Sequence, residues 1–242
     1  MATAASGASY GFQRVYAALQ SGHVLTVKQQ RQEPVRCFMQ QSMLDGACGT
    51  HVLAMILVIC DLAKASAMHD MSQRRYGVAA EVWKAFEPTY FAGVHAKDWV
   101  ELVNSLALPL KLTPKYGSKE RADQHALDWL MRGELVALAF ASVKHQRTRH
   151  WALAVGVEGT VSVRKHQPQR ILLLDPGGNE PSFQAFNAWL RLPTEGIGSR
   201  RAKQLHSPSG DAKPWTVFWH YESEGCAAEM VRLLAAVRVR KS

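Results

Sequence analysis

Residues 40–50 read QQSMLDGACGT, and they lie immediately before an apolar run from Val52 to Ile59. The Asp45-Gly46 pair is typical of a turn, and residues 48–67 have the composition of a helix. Because this helix is apolar around nearly its whole circumference, we expect it to be buried. The stretch therefore predicts a loop that leads into a central helix, with Cys48 in the first turn.

A cysteine at this position is suited to nucleophilic chemistry. The first backbone N–H groups of a helix have no partner within it, and together with the helix dipole they favour the thiolate, which is the nucleophilic form. The small residues Gly46, Ala47 and Gly49 allow a substrate to approach the sulfur, and the Cys48 N–H can face a developing oxyanion. A small buried core residue is the alternative interpretation of Cys48.

A thiolate nucleophile needs a base, which can lie far away in the sequence. His150 is the strongest candidate of the ten histidines because it begins HWALAVGV (150–157), which has the pattern of a strand. The next apolar segment, RILLLD (170–175), ends in Asp175. If the two strands pair antiparallel, Asp175 lies next to His150 and can orient its imidazole. The alternatives are a structural hydrogen bond for His150 and a turn-forming role for Asp175.

Three further residues are weaker candidates. His145 is a rival base, but its neighbours Lys144, Gln146 and Arg147 are typical of an exposed loop. His51 follows Cys48 by three residues, which places it near the same face of the helix. Asn179 could replace Asp175 as the residue that orients the base.

The chain resembles a known family in the order of these motifs. Asp-x-x-Cys-Gly (45–49) precedes Leu-Ala-Met-Ile-Leu (53–57), Gly-Glu-Leu-Val-Ala-Leu (133–138), His-Trp-Ala-Leu-Ala-Val-Gly (150–156) and Leu-Asp-Pro (174–176). This order resembles the papain-like cysteine peptidases, and within them the bacteriocin-processing (double-glycine) peptidase-like branch. The resemblance covers about residues 37–178. It implies Cys48 as nucleophile, His150 as base and Asp175 as the residue that orients the base.

The resemblance also implies a glutamine that helps to form the oxyanion hole. In the family five residues usually separate this glutamine from the cysteine, but here Ser42 has that spacing. Gln41 has six intervening residues and Gln40 has seven. A one-residue bulge at Asp45-Gly46 would allow Gln41 to serve, so we predict Gln41. Gln40, or a plain loop role for Gln41, is the alternative.

The resemblance and the order of elements predict an α+β, papain-like fold, in which an N-terminal helical part with the buried nucleophile helix packs on an antiparallel sheet. Residues 1–36 are expected to form a lead-in with one short helix at 12–19. Residues 37–242 form the hydrolase domain, with a mainly helical half (37–133) and a sheet half (134–242) that ends in a helix at 227–237. Further helices are expected at 78–86, 96–107, 119–131 and 183–192. Further strands are expected at 110–112, 135–140 and 215–221, and a long loop is expected at 193–214.

Composition excludes several classes of protein. The chain has 242 residues, of which 47% are hydrophobic, so it is not mainly disordered. Its four cysteines, at 37, 48, 60 and 226, are too sparse for a disulfide scaffold and contain no CxxC pair. The net charge of +9 is spread out and accompanies no nucleic-acid-binding motif, so a nucleic-acid partner is not expected. No cofactor or metal is required.

The N-terminus has no secretory signal, and no apolar run approaches the length that spans a bilayer. We therefore expect a cytoplasmic protein, although export by a specialised secretion system would leave no such signal. The predicted function is cysteine peptidase activity on a peptide or isopeptide bond of a protein or peptide substrate. Two alternatives remain open: a glutamine deamidase or acyltransferase with the same triad, and an inert papain-like binding module.

Overall fold

The computed structural model describes residues 9–29, 33–42, 44–145, 149–162, 165–193, 217–224 and 227–242. These residues form five helices: α1 (Cys48–Ile59), α2 (Ala65–His69), α3 (Val78–Phe86), α4 (Ala96–Ser105) and α5 (Ala122–Leu130). They also form eleven strands: β1 (Ser9–Val15), β2 (Leu19–Gln20), β3 (Thr26–Val27), β4 (Val35–Arg36), β5 (Leu110–Tyr116), β6 (Leu135–Ser142), β7 (Arg149–Ser162), β8 (Lys165–Leu174), β9 (Ala188–Arg191), β10 (Phe218–Ser223) and β11 (Glu229–Lys241).

Six strands close into an antiparallel barrel in the order β7-β6-β11-β10-β9-β8, with β8 pairing back onto β7. Strand β1 pairs with the second half of β7, and β5 pairs with β11. Strands β2, β3 and β4 form a separate small sheet. Helical segments make up only about 26% of the described residues. The protein is mostly β, so the prediction of an α+β, papain-like fold is wrong.

The strands at the centre of the barrel are apolar on both faces because each face meets a different core. In β6 every residue is buried. Val136, Leu138 and Phe140 point into the barrel. Leu135 and Ala137 point outwards to a second core that contains α1. Strand β7 alternates in the same way, with Ala152 and Ala154 inside and Trp151, Leu153 and Val155 outside.

Helix α1 lies between the outer face of the barrel and the other helices. All of its residues except His51 are buried, as its apolar circumference predicts. The helix ends at Ile59, earlier than the expected position 67. Asp61 adopts a left-handed conformation with φ of 54°, which interrupts the helix before the short α2 begins.

Two predicted helices at the ends of the chain are strands. The expected helix at 12–19 is replaced by the end of β1 and a turn that leads into β2. Strand β1 is largely exposed and therefore shows no hydrophobic alternation. The expected C-terminal helix at 227–237 is replaced by β11, which pairs with β6, β5 and β10. Its Ala, Leu, Met and Arg content favours a helix locally, but pairing with three strands outweighs this preference.

The expected helix at 183–192 is also wrong. Phe183 has a left-handed φ of 57°, and Ala188–Arg191 forms β9 between β8 and β10. Residues 194–216, which include most of the expected loop at 193–214, lie outside the described residues, as does Cys226.

The remaining predicted elements are present as α3, α4, α5, β5, β6, β7, β8 and β10. Strands β5, β7 and β8 extend beyond the predicted segments by four or five residues at one end. The boundary between a lead-in and a hydrolase domain at residue 36 stays a prediction. None of the helices in the described part of the chain is long and apolar enough to cross a membrane.

Candidate active site

The structure brings Cys48, His150 and Asp175 together at one end of the barrel. Cys48 is the first residue of α1, His150 is the second residue of β7, and Asp175 directly follows β8. Strands β7 and β8 pair antiparallel, with Leu153 opposite Leu174. This register places the end of β8 beside the start of β7, as the two apolar segments of the sequence predict.

His150 connects the other two side chains. Its Nε2 lies 2.6 Å from Asp175 Oδ1, which leaves Nδ1 for the sulfur. The Cys48 side chain lies near enough to the ring to influence its charge. Burial disfavours the imidazolium, but attraction to Asp175, the hydrogen bond to it and the interaction with Cys48 raise the pKa of His150 to about 10. The imidazolium form is therefore held beside the sulfur.

Asp175 is buried, with only 2% of its side chain exposed. Burial alone raises the pKa of a carboxyl group, but the charge of His150 and hydrogen bonds from His150, Tyr221 and the Gly177 N–H lower the pKa of Asp175 below its ordinary value. The Gly177 N–H donates to Oδ1 at 2.7 Å, and the Tyr221 hydroxyl donates to Oδ2. The carboxylate is thus kept ionised and fixed in orientation.

Asn187 restrains the backbone of Asp175. Its Oδ1 accepts the Asp175 N–H at 2.7 Å, and its Nδ2 donates to the Asp175 carbonyl at 2.8 Å. The same Nδ2 donates to the Asn179 carbonyl. Asn179 therefore supports the turn after Asp175 through its backbone, and its side chain does not replace Asp175 as the partner of His150.

Sequence reasoning missed Tyr221 and Asn187. Neither residue lies in a recognisable motif, and both reach Asp175 through the closure of the barrel by β9 and β10. The only local signal was the position of Tyr221 within a predicted strand, which gives no information about its neighbours in space.

Cys48 has only 6% of its surface exposed. It is the first residue of α1, at the end where the helix dipole favours a negative charge. No side chain caps the N-terminus of the helix. Its first backbone N–H groups can therefore donate hydrogen bonds to a ligand. The sulfur lies 3.9 Å from the Gly46 carbonyl oxygen, which can accept the proton of the neutral thiol. Burial raises the pKa of the Cys37 thiol to about 12 and that of the Cys60 thiol to about 11.

Gln41 lies on the loop that precedes Cys48 and is tied to both sides of the site. Its backbone N–H donates to the Pro176 carbonyl at 2.7 Å, next to Asp175. Its Nε2 donates one hydrogen to the Asp45 carbonyl at 2.7 Å, and the second amide hydrogen remains for a ligand. Gln40 instead lines a separate recess of about 430 Å³ beside His51. Gln41 therefore contacts both the loop before Cys48 and the turn after Asp175, and its role in an oxyanion hole stays a prediction.

Asp45 organises the loop. Its carboxylate accepts the N–H groups of Ser42 and Ala47 at 3.1 and 2.9 Å, and the Tyr90 hydroxyl donates to it at 3.3 Å. The Asp45 carboxylate therefore connects Ser42, Ala47 and Tyr90 and holds the backbone just before Cys48.

In the described residues neither of the weaker histidine candidates forms a hydrogen bond with His150 or Asp175. His145 is exposed. His51 Nδ1 lies 2.9 Å from the Ala47 carbonyl oxygen, so it contacts the backbone before Cys48 and not the His150–Asp175 pair. Trp151 points to the opposite face of β7 from His150, and it stacks on Trp99 in the core with ring centroids 4.8 Å apart. The His150 ring is instead flanked by Phe140 and Tyr221.

Two recesses open on either side of His150. One, of about 290 Å³, is lined by Asp175, Tyr221, Glu224 and Glu229 among others. The other, of about 520 Å³, is lined by residues of α4, β6, β7 and β11. Both recesses therefore border His150.

No cluster of three or more His, Cys, Asp or Glu side chains is arranged to hold a metal ion in the described ranges. The sequence matches no protein-family model and no curated protein. The interpretation of the site consequently depends on its geometry.

Proposed function

We propose that this protein is a cysteine hydrolase that cleaves a peptide or isopeptide bond. The observation that carries the proposal is the placement of the His150 ring between the Asp175 carboxylate, at 2.6 Å, and the sulfur of Cys48 at an uncapped helix N-terminus. A nucleophile, a base and a group that orients the base are the three parts that nucleophilic catalysis of acyl transfer requires.

Each residue has a defined step. The Cys48 thiolate attacks the carbonyl carbon and forms a tetrahedral intermediate, whose oxyanion accepts hydrogen bonds from the Cys48 N–H and the free amide hydrogen of Gln41. The His150 imidazolium protonates the leaving amine as the C–N bond breaks, which leaves a thioester on Cys48. Neutral His150 then takes a proton from water as the water attacks the thioester. The acid product leaves and the thiolate is restored.

Iodoacetamide labelling followed by mass spectrometry tests the nucleophile. We expect Cys48 to be alkylated near neutral pH faster than Cys37 or Cys60, because both of those thiols are buried and have raised pKa values. The His150→Ala variant should lose this selectivity, since the imidazolium no longer stabilises the thiolate. Labelling of Cys48 that is equally fast without His150 would point to an inert module.

Turnover is tested with a mixture of peptides of known sequence, in which new termini are identified by mass spectrometry. Cleavage should be absent in Cys48→Ala and about 10²–10⁴-fold slower in His150→Ala. Cys60→Ala is the matched control, and it should cleave like the unmodified protein because Cys60 lies at the far end of α1. Cleavage that persists in Cys48→Ala would contradict the proposal.

A further inference from the structure

The larger recess beside His150 has a positive lining. Its residues include His95 and Ala96 at the start of α4, Ser118, Arg149, Trp151 and Arg232, and no acidic side chain is among them. The recess encloses about 520 Å³, which is enough for a side chain of a bound peptide. Its charge is therefore a property that a bound group would experience directly.

The two arginines lie on the same face of the sheet. Arg149 on β7 and Arg232 on β11 are both opposite Ala141 of the intervening strand β6. Residues opposite one another in antiparallel strands point to the same side, and two strand spacings separate the backbones by about 10 Å. The small Ala141 between them leaves space for the two long side chains to converge.

These arginines differ from most others in the protein. Across the residues that the structure describes, eight arginines form an ion pair with a carboxylate: Arg36, Arg74, Arg121, Arg132, Arg170, Arg191, Arg238 and Arg240. Arg149 and Arg232 have no such partner within the same residues. Two guanidinium groups that share one recess without a carboxylate repel each other, and an anionic ligand would relieve this repulsion.

Helix α4 and His95 also line the recess, and neither supplies a negative charge that would neutralise Arg149. The Arg149 guanidinium contacts the His95 ring, and a neutral imidazole can accept this hydrogen bond while the arginine keeps its charge. No side chain caps the N-terminus of α4, so its first N–H groups also contribute positive potential.

We propose that Arg149 and Arg232 bind a carboxylate of the peptide substrate, within a few residues of the bond that Cys48 attacks; this rests on the proposed function. A carboxylate matches the planar fork of a guanidinium. The recess lies next to the reaction centre because His150 lines it, and because Val94, another lining residue, packs against Gly49, which follows Cys48. The recess on the other side of His150 contains Glu224 and Glu229, so charge also selects the direction in which the substrate binds.

Peptidyl vinyl sulfones test the proposal, because they alkylate the nucleophile of a cysteine hydrolase. The probes carry one glutamate at successive positions on either side of the vinyl group, and each is paired with a probe that has glutamine instead. At one position we expect the glutamate probe to label Cys48 at least about tenfold faster, as charge-assisted hydrogen bonds predict. Probes with a free or an amidated C-terminus distinguish a side-chain carboxylate from a terminal one.

The Arg149→Gln/Arg232→Gln double variant should reduce the glutamate-to-glutamine rate ratio to about one. The rate ratio should be unchanged in Arg75→Gln, which removes an exposed arginine elsewhere. It should partly return in the Arg149→Lys/Arg232→Lys double variant, which keeps both positive charges. Thermal melting identifies any variant that has not folded. Equal rates for the two probes at every position, with labelling that still requires His150, would overturn the carboxylate site alone. Labelling that does not require His150 would overturn the proposed function itself.

Discussion

At the scale of single residues, His150 and Asp175 each stabilise the charged form of the other. Asp175 is almost completely buried, and an isolated buried carboxylate would be costly. The imidazolium of His150, the Tyr221 hydroxyl and the Gly177 N–H offset that cost. The pair therefore contributes to folding as well as to the proposed chemistry, and its contribution depends on pH.

The stability of the protein should fall as the pH rises above neutrality. The pKa of His150 is about 10 in the folded protein against an ordinary 6.5, so between these values the folded chain holds a proton that the unfolded chain has released. The stabilisation is complete below pH 6.5 and is lost as the pH rises through about 10. Urea unfolding at intervals from pH 6 to 10 should show this fall, and His150→Gln should show a smaller one.

His145→Gln is the control for this measurement, because His145 is exposed. Its stability should follow that of the unmodified protein across the range. Parallel curves for His150→Gln and the unmodified protein would mean that the imidazolium–carboxylate pair does not stabilise the fold. On the acid side the sign is reversed, since the lowered pKa of Asp175 gives stability that is lost as the pH falls.

At the scale of elements, the loop before α1 is held on two sides. The Gln41 N–H donates to the Pro176 carbonyl, and the Gly46 N–H donates to the Tyr90 carbonyl at 2.8 Å. The first contact links the loop to the turn that carries Asp175, and the second links it to the segment before α4. The position of Cys48 is therefore fixed by elements from both sides of the site.

Gly46 has no room for a side chain. A Cβ at this position would lie 2.7 Å from the Phe91 carbonyl oxygen and 2.9 Å from the Gly93 nitrogen, and backbone atoms cannot move aside easily. We expect Gly46→Ala to lower the free energy of unfolding by about 1–3 kcal/mol and to slow alkylation of Cys48, because the loop is displaced. Denaturant titration and iodoacetamide kinetics measure the two effects.

Gly22→Ala is the matched control in another loop, where a Cβ would make an ordinary contact at 3.5 Å with the Val24 carbonyl oxygen. Its stability should change by no more than about 0.5 kcal/mol. If Gly46→Ala is as stable and as reactive as Gly22→Ala, the close approach of the loop to residues 91–93 does not position Cys48.

The sequence predicts best the elements that are buried on all sides, because their residues are apolar throughout. Helix α1 is surrounded by core, and the apolar strands β6, β7 and β8 are buried, so Cys48, His150 and Asp175 could be located from the segments that carry them. Strand β11 could not be predicted, because its residues favour a helix and only its pairing partners, which are distant in sequence, select the strand. Tyr221 and Asn187 reach the site through the same long-range pairing.

At the scale of the whole molecule, the barrel and the helical layer share their strands. One face of β6, β7 and β11 lines the inside of the barrel, with Leu138, Ala154 and Ala236, and the other face packs toward α1, with Ala137, Leu153 and Val237. Neither core can be removed without exposing strands of the other. Because of this sharing, the helices before residue 133 cover a barrel and do not form the separate helical half that an α+β fold requires.

We therefore expect the barrel and the helical layer to unfold together. Ile56 is fully buried in α1, and Ile56→Ala should cost about 2–5 kcal/mol. Unfolding in urea is followed by far-ultraviolet circular dichroism and by the fluorescence of the seven tryptophans, which include Trp99 beside α1 and Trp219 inside the barrel. Both signals should shift to lower urea by the same amount. Lys97→Ala, on the exposed face of α4, is the control and should leave both unfolding curves unchanged. Two separate transitions, of which Ile56→Ala shifts only one, would show that the two layers fold independently.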